Sequence, residues 1–279
     1  MKYDLHIHTS CSDGKYSKLD LLKFLNYFEY DYVAFADHNY IELLSEKDLN
    51  EEYRKKYNEE QCIRIIDAIE FDVAENSSMH ILGYDIKNKL KVYEILKEVK
   101  CNNTEICKKI IENIKNTYGI IIPLEEVLYI GNGNIAKTDI TNWLVKYGYA
   151  NDYKEAGYLY TSKYSPCYEK KHSLATKDVL SLIESCGGIS VLAHPSTLRL
   201  PNDELKNYII SLLKLGLKGI EVNNLDKTNI QELEYYKAIA NELNLFRTSG
   251  SDFHNENTTR AIGLDDDESN DFIKKIKRY

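Results

Sequence analysis

Seven histidines occur in this chain of 279 residues, and six of them stand in settings suited to holding metal. His6 and His8 alternate in Asp4-Leu5-His6-Ile7-His8, His38 follows Asp37, His80 follows Met79, His194 precedes Pro195, and His254 comes two residues after Asp252. Neutral imidazole is a common ligand of zinc, iron and manganese, and Asp13, Glu70 and Asp252 supply the carboxylates that usually accompany it. These types at these spacings point to a multinuclear metal centre. His172, in the charged run Glu169-Lys170-Lys171, is the exception and reads as a solvated side chain.

On a β-strand, side chains two apart share a face, so His6 and His8 can approach one ion with Asp4 behind them. Asp252 and His254 repeat that spacing after Gly250-Ser251. Each motif alone has a plain structural explanation: a turn at Asp13-Gly14, a helix cap at Asp37-His38, a solvent-facing imidazole at His80. Together they would require a separate coincidence each. Glu70 ends the apolar run 63–69, where an uncompensated carboxylate is costly, and a bridging position between cations would compensate it.

The elements that must position these residues alternate between strand and helix patterns, as in parallel β/α units. Strands are expected at 2–8, 32–36, 63–70, 80–84, 188–193, 219–222 and 245–249. Helices follow at a segment capped by Ser17 and at 177–184, 203–215 and 229–243, and a surface helix is expected at 265–279. The ligand candidates fall within strands or near their carboxyl ends, where barrel enzymes assemble their sites. Residues 89–171 have helical periodicity, a helix start at Pro123 and a loop at 131–134, and contain none of the six motif histidines. The organisation read from this is a discontinuous barrel domain, 1–88 and 172–279, with an inserted helical subdomain, 89–171, in a position to cover the site.

A net charge of −8 argues against a broad basic face for duplex nucleic acid. No apolar run is long enough to span a bilayer, and cytoplasmic residence is the default expectation. The six cysteines form no Cys-x-x-Cys pair, so neither a zinc ribbon nor a disulfide scaffold is expected, and Cys11 reads as a packed thiol.

With its motifs taken in order, the chain resembles the PHP (polymerase and histidinol phosphatase) superfamily of metal-dependent phosphoesterases. The resemblance is carried by Asp4 to Thr9 with Ser12-Asp13-Gly14, Ala36-Asp37-His38-Asn39, Ala68-Ile69-Glu70 and His80-Ile81-Leu82-Gly83-Tyr84. It continues through Ala193-His194-Pro195, Gly219-Ile220-Glu221-Val222 and Gly250-Ser251-Asp252-Phe253-His254. It is closest to the stand-alone branch of nucleotide phosphatases and 5′-to-3′ exoribonucleases. The resemblance implies a distorted (β/α)7 barrel of the α/β class holding two to three divalent ions, manganese, iron or zinc. The first ion would take His6, His8, Glu70 and Asp252; the second Glu70, His80 and His194; the third Asp13, His38 and His254.

Such a centre would hydrolyse phosphate esters of nucleotides or short oligonucleotides by attack of ion-held water, with Glu70 as the bridge. The proton for the leaving oxygen would come from His254, His194 or an ion-held water. Arg199 and Lys137 are the first candidates for binding the substrate's phosphate, and Arg247 and Arg260 flank the last motif. Histidinol-phosphate phosphatase is the rival within the fold. A metal-dependent amidohydrolase, whose barrels also open with His-x-His, and a non-catalytic metal-stabilised binding module are rivals of other classes.

Overall fold

The computed structural model describes residues 1–60, 63–130, 135–225, 227–256, 262–264 and 267–276. The loop expected at 131–134 and Arg260 lie outside the described residues. The chain divides into two compact units, Met1–Tyr93 with Leu174–Tyr279, and Glu94–Ser173.

In the first unit seven strands, β1 (Tyr3–Ile7), β2 (Tyr32–Phe35), β3 (Arg64–Asp72), β4 (His80–Tyr84), β5 (Ile189–Leu192), β6 (Gly219–Asn224) and β7 (Phe246–Gly250), form one sheet in sequence order. A parallel bridge between Ile7 and Phe253 closes it into a barrel. The seam is held by Asp252 N–H donating to the His6 carbonyl (2.8 Å) and His8 N–H to the Phe253 carbonyl (2.9 Å).

Strand alternation sorts the barrel core. Tyr3, Leu5, Ala34, Ala36, Ile66, Ala68, Leu82, Tyr84, Val191 and Ala193 share one cluster. Val33, Phe35 and Ile63 pack instead with helix residues Leu21, Leu22, Leu25 and Tyr53. Those residues belong to α1 (Lys18–Tyr27), capped by Ser17, and α2 (Glu46–Tyr57), started by a Ser45/Asp48 capping box. α2 was not expected from the sequence, because Leu49 and Tyr53 are its only buried side chains and leave little periodicity to see.

Two expectations need correction. The units are not all parallel: β4 runs antiparallel to both β3 and β5. Residues 73–79 between β3 and β4 are too few for a crossover helix, which requires roughly a dozen residues, so the chain must turn straight back. The reversal brings the first residue of β4, His80, to the rim that the other strands reach with their last residues. The tail, expected as a surface helix, instead buries Phe272 and Ile273 of its helix Asn270–Ile276 among Tyr3, Leu5 and Tyr84.

In chain order the remaining helices begin with α3 (Lys89–Tyr118), α4 (Leu124–Ile130), α5 (Lys137–Lys146) and α6 (Tyr153–Ala156), the last continuing as a π-helical turn, Gly157–Thr161. The second unit has its own core, in which Ile110, Ile114, Val127, Ile140, Trp143 and Leu144 meet. In the first unit, α7 (Thr176–Ser185), α8 (Asn202–Lys214) and α9 (Ile230–Glu242) separate the later strands, as the sequence pattern predicts. No helix among the described residues is long and apolar enough to cross a membrane.

Gly250 shows how tightly the seam is built. A Cβ there would lie 2.3 Å from the His6 Cβ and 2.8 Å from the His6 nitrogen. Gly250→Ala is therefore expected to force β1 and β7 apart and to cost about 1–3 kcal/mol, the usual range for overpacking. Gly157→Ala, whose Cβ would meet nothing within 4 Å, is expected to leave stability unchanged or slightly higher. Urea denaturation of the two variants checks both expectations.

Candidate metal centre

The ends of β1, β2, β3, β5 and β7 and the start of β4 bring all nine expected metal ligands to one rim. His6, His8, Glu70 and Asp252 are buried there as one group of mutually close donors, and Glu70, His80 and His194 form a second. His8, Asp13, His38 and His254 form a third, which contains the expected set with His8 added.

Glu70 is the common member. Its Oε2 lies 3.1 Å from His8 Nε2 and 3.4 Å from His6 Nε2, while its Oε1 lies 2.9 Å from His194 Nε2 and 3.0 Å from His80 Nδ1. The Nε2 atoms of His6 and His8 face each other at 3.2 Å, with Asp252 Oδ1 3.1 Å from the latter. At the third group, His254 Nε2 is 3.4 Å and His38 Nε2 3.9 Å from Asp13 Oδ2, and the rings of His8 and His254 stack at 4.0 Å.

This arrangement fits divalent ions. Glu70 Oε2 and His38 Nδ1 are buried with no hydrogen-bond partner, which is costly for a polar atom unless a cation compensates it. Two imidazole nitrogens facing each other beside two carboxylates likewise direct lone pairs into a shared space. The electrostatics agree in sign. Burial disfavours the charged form of His6, yet Glu70, Glu221 and Asp252 outweigh it and push the imidazole up to about 10. Burial would raise Glu70 and Asp252 too, and the surrounding imidazoles hold both well below the usual carboxylate range. Positive charge is what this cluster stabilises.

Several supporting residues carry no metal role in the sequence reading. Glu221, fully buried on β6, lies with Oε1 3.0 Å from His6 Nδ1, and its Oε2 accepts the His194 backbone N–H at 2.7 Å. One carboxylate thus orients ligands of two groups and leaves Nε2 of His6 for an ion. A glutamate inside the apolar run Gly219-Ile220-Glu221-Val222 was the available signal, since a buried charge requires a partner. Asp37 accepts from Thr9 N–H, Thr9 Oγ1 and Ser12 Oγ, each at 2.7 Å, and so pins the loop that carries Asp13. Asp4 accepts backbone N–H groups of His6, Ser251 and Gly263 behind the site. His194 and Asp252 both adopt positive φ, 24° and 54°, a strained backbone held by the surrounding contacts.

Arg199 lines a cavity of about 490 Å³ with Asn76, Ser78, His80, His194, Thr197 and Lys227. Lys227, which no sequence pattern singled out, also pairs with Asp252. Lys137 lies in the second unit, where its ammonium donates to the carbonyls of Glu169 (2.7 Å) and Thr161 (3.4 Å) over the Tyr168 ring. Arg247 pairs with Glu268 at 3.3 Å.

No family model matches the chain. It is 23% identical over 255 residues to a 5′-3′ exoribonuclease of Haemophilus influenzae, covering 91% of this chain and 90% of that one. It is 26% identical over 120 residues to a 3′,5′-nucleoside bisphosphate phosphatase of Chromobacterium violaceum, covering 43% and 42%. A solved structure from Bifidobacterium adolescentis, assigned as a metal-dependent phosphoesterase, superposes with a TM-score of 0.72 at 23% identity over 98% of this chain and 94% of that one.

Loss of the shared orienting carboxylate should weaken the centre without dismantling it. Glu221→Gln is expected to lower divalent-metal affinity by about 10–100-fold, the usual cost of losing such a partner. A manganese titration in competition with a chelator reads this directly, with circular dichroism showing that the barrel is retained.

Proposed function

We infer that this chain is a metal-dependent phosphoesterase of the PHP type, acting on phosphate esters of nucleotides or short RNA. One observation carries the reading: Glu70 and eight further imidazole and carboxylate side chains converge on one rim beside a cavity whose wall supplies two cations, Arg199 and Lys227. Clustered ligands of this kind serve metal-assisted hydrolysis, and two cations beside them suit an anionic substrate. The names of the relatives, a 5′-3′ exoribonuclease and a nucleoside bisphosphate phosphatase, support a phosphorylated nucleotide over another phosphate ester.

His6, His8, Glu70 and Asp252 would hold one divalent ion, Glu70, His80 and His194 a second, and Asp13, His38 and His254, with His8 beside them, a third. Manganese, iron and zinc all suit such mixed ligands. Bound there, the ions would neutralise phosphoryl oxygens and activate water as the nucleophile. The protein's own groups do the rest. Glu70, with one oxygen toward each of two sets, fixes their spacing. Arg199 and Lys227 attract and orient the phosphate from the cavity side. His194 Nε2 is engaged at 2.9 Å by Glu70, and its Nδ1 lies 3.0 Å from Thr197 Oγ1. His254 Nδ1 donates to the Asp252 carbonyl at 2.9 Å, so its Nε2 would ligate the third ion when that ion is bound and would carry a proton toward a leaving oxygen only when the third set is empty. In that two-ion state we assign the proton to His254 ahead of His194. Lys137 is kept as a candidate phosphate contact on its residue type and sequence position alone.

The test is product release from a nucleoside 3′,5′-bisphosphate, a 5′-phosphorylated RNA of a few nucleotides, histidinol phosphate and a simple amide, with manganese, iron or zinc restored to chelated protein. Turnover of either nucleotide substrate is expected. Exclusive turnover of histidinol phosphate would reject the nucleotide assignment, and exclusive amide cleavage or no turnover would reject the phosphoesterase. Arg199→Ala and Lys227→Ala are each expected to lower kcat/KM about 10–100-fold, the equivalent of losing one charged hydrogen bond.

A further inference from the structure

Asp72 is a carboxylate at the same rim that none of the three ligand sets uses. It stands two residues beyond Glu70 at the end of β3, so the two side chains share a face. The antiparallel register places it directly opposite His80. Its backbone N–H donates to Asn39 Oδ1 at 3.2 Å, next to His38 in sequence, so both neighbours are set by the backbone. As a result Asp72 Oδ1 lies 3.2 Å from His38 Nδ1 and 3.7 Å from His80 Nε2, and the three residues form a further group of mutually close donors.

Two details favour an ion over a plain hydrogen bond. His38 Nδ1 is buried and has carboxylate oxygens of Asp72 and Glu70 at 3.2 and 3.3 Å, yet is in hydrogen-bonding line with neither. Donors that crowd together without bonding to one another are arranged as co-ligands are. His80, for its part, presents Nδ1 to Glu70 and Nε2 to Asp72. A neutral imidazole has one lone pair, so it can serve only one of the two positions at a time. The positions also differ in access: the side chains of His38, Asp72 and His80 are 24%, 22% and 18% exposed, whereas those of Glu70 and His194 are 1% and 3% exposed.

We propose that, while the third set is empty and the His38 lone pair is free for Nδ1, His38, Asp72 and His80 form an outer ion-binding position, from which a divalent ion passes to the inner set of Glu70, His80 and His194. His80 hands the ion inward by exchanging the ring nitrogen that ligates it, its one ring proton shifting through solvent from Nδ1, where it faces Glu70, to Nε2, where it faces Asp72, and Asp72 is the outer carboxylate. The proposal rests on the metal-centre reading and not on the identity of the substrate.

Zinc(II) uptake by the chelated chain, followed in stopped flow with a colorimetric zinc indicator, tests it. Asp72→Asn should bind as many ions at equilibrium as the unaltered chain. It should take them up at least about tenfold more slowly, because uptake through a weak encounter scales with its affinity and loss of a metal-directed carboxylate costs about 10–100-fold. Asp72→His, which keeps a ligand but removes the negative charge, should restore most of the rate. Equal uptake rates in Asp72→Asn and the unaltered chain would overturn the proposal. Loss of ions at equilibrium would also overturn it, since Asp72 would then belong to a permanent site, and failure of Asp72→His to restore the rate would reduce Asp72 to electrostatic attraction. Turnover is not part of the readout, so a chain that takes up zinc in this way but cleaves no phosphate ester would sink the phosphoesterase reading alone.

Discussion

The constraint on which the rest of the structure depends is the burial of negative charge at Glu70. Its carboxylate is removed from water with those of Glu221 and Asp252, and among the described residues the one buried lysine or arginine is Lys18, whose ammonium lies by Glu42 and Asp37. Isolated carboxylates in such a place would be prohibitively costly. Six histidines approach within ion-pair or hydrogen-bond distance of Glu70 or Asp252, and the whole rim is arranged to accept added cations. The strained backbones of His194 and Asp252 and the close pass of Gly250 over His6 are consequences of packing so many polar groups around one anion.

The barrel makes that packing possible by bringing distant segments to one edge. Its closure is unusual in location rather than in kind: the backbone hydrogen bonds that seal β1 to the chain after β7 come from His6, His8, Asp252 and Phe253, so the seam and the centre are one structure. The short return from β3 to β4 contributes as much. By reversing β4 it delivers His80 to the ligand rim from the start of a strand, and it sets Asp72 opposite His80 through the sheet register. Folding and site assembly are thereby coupled, and variants at the seam are expected to affect both.

Much of this was legible beforehand because metal ligation has strict demands on residue type and spacing. His6 and His8 on one strand face, His194 after an apolar strand and Asp252 before His254 could each be read locally. All seven strands were visible from apolar β-branched runs. The reversal of β4 was not read, although the short link implied it. α2 leaves little sequence signal because its buried side is only Leu49 and Tyr53, and the tail reads as a surface helix because the partners of Phe272 and Ile273 lie far away in sequence.

By itself, the sequence carried the candidate chemistry of this protein: which side chains can donate to a metal, that most of them stand at or just beyond strand ends, and that phosphate-ester hydrolysis would suit such a set. Those properties are local, since an imidazole or a carboxylate has its donor character wherever it sits. Only the tertiary structure decided how the donors are shared. That Glu70 faces two sets, that Glu221 orients both His6 and His194, that Lys227 joins Arg199 at the cavity, and that Asp72 stands between His38 and His80 all depend on which strands are neighbours and in what register. Register arises from the summed packing of the barrel core, and no short segment of the chain carries it.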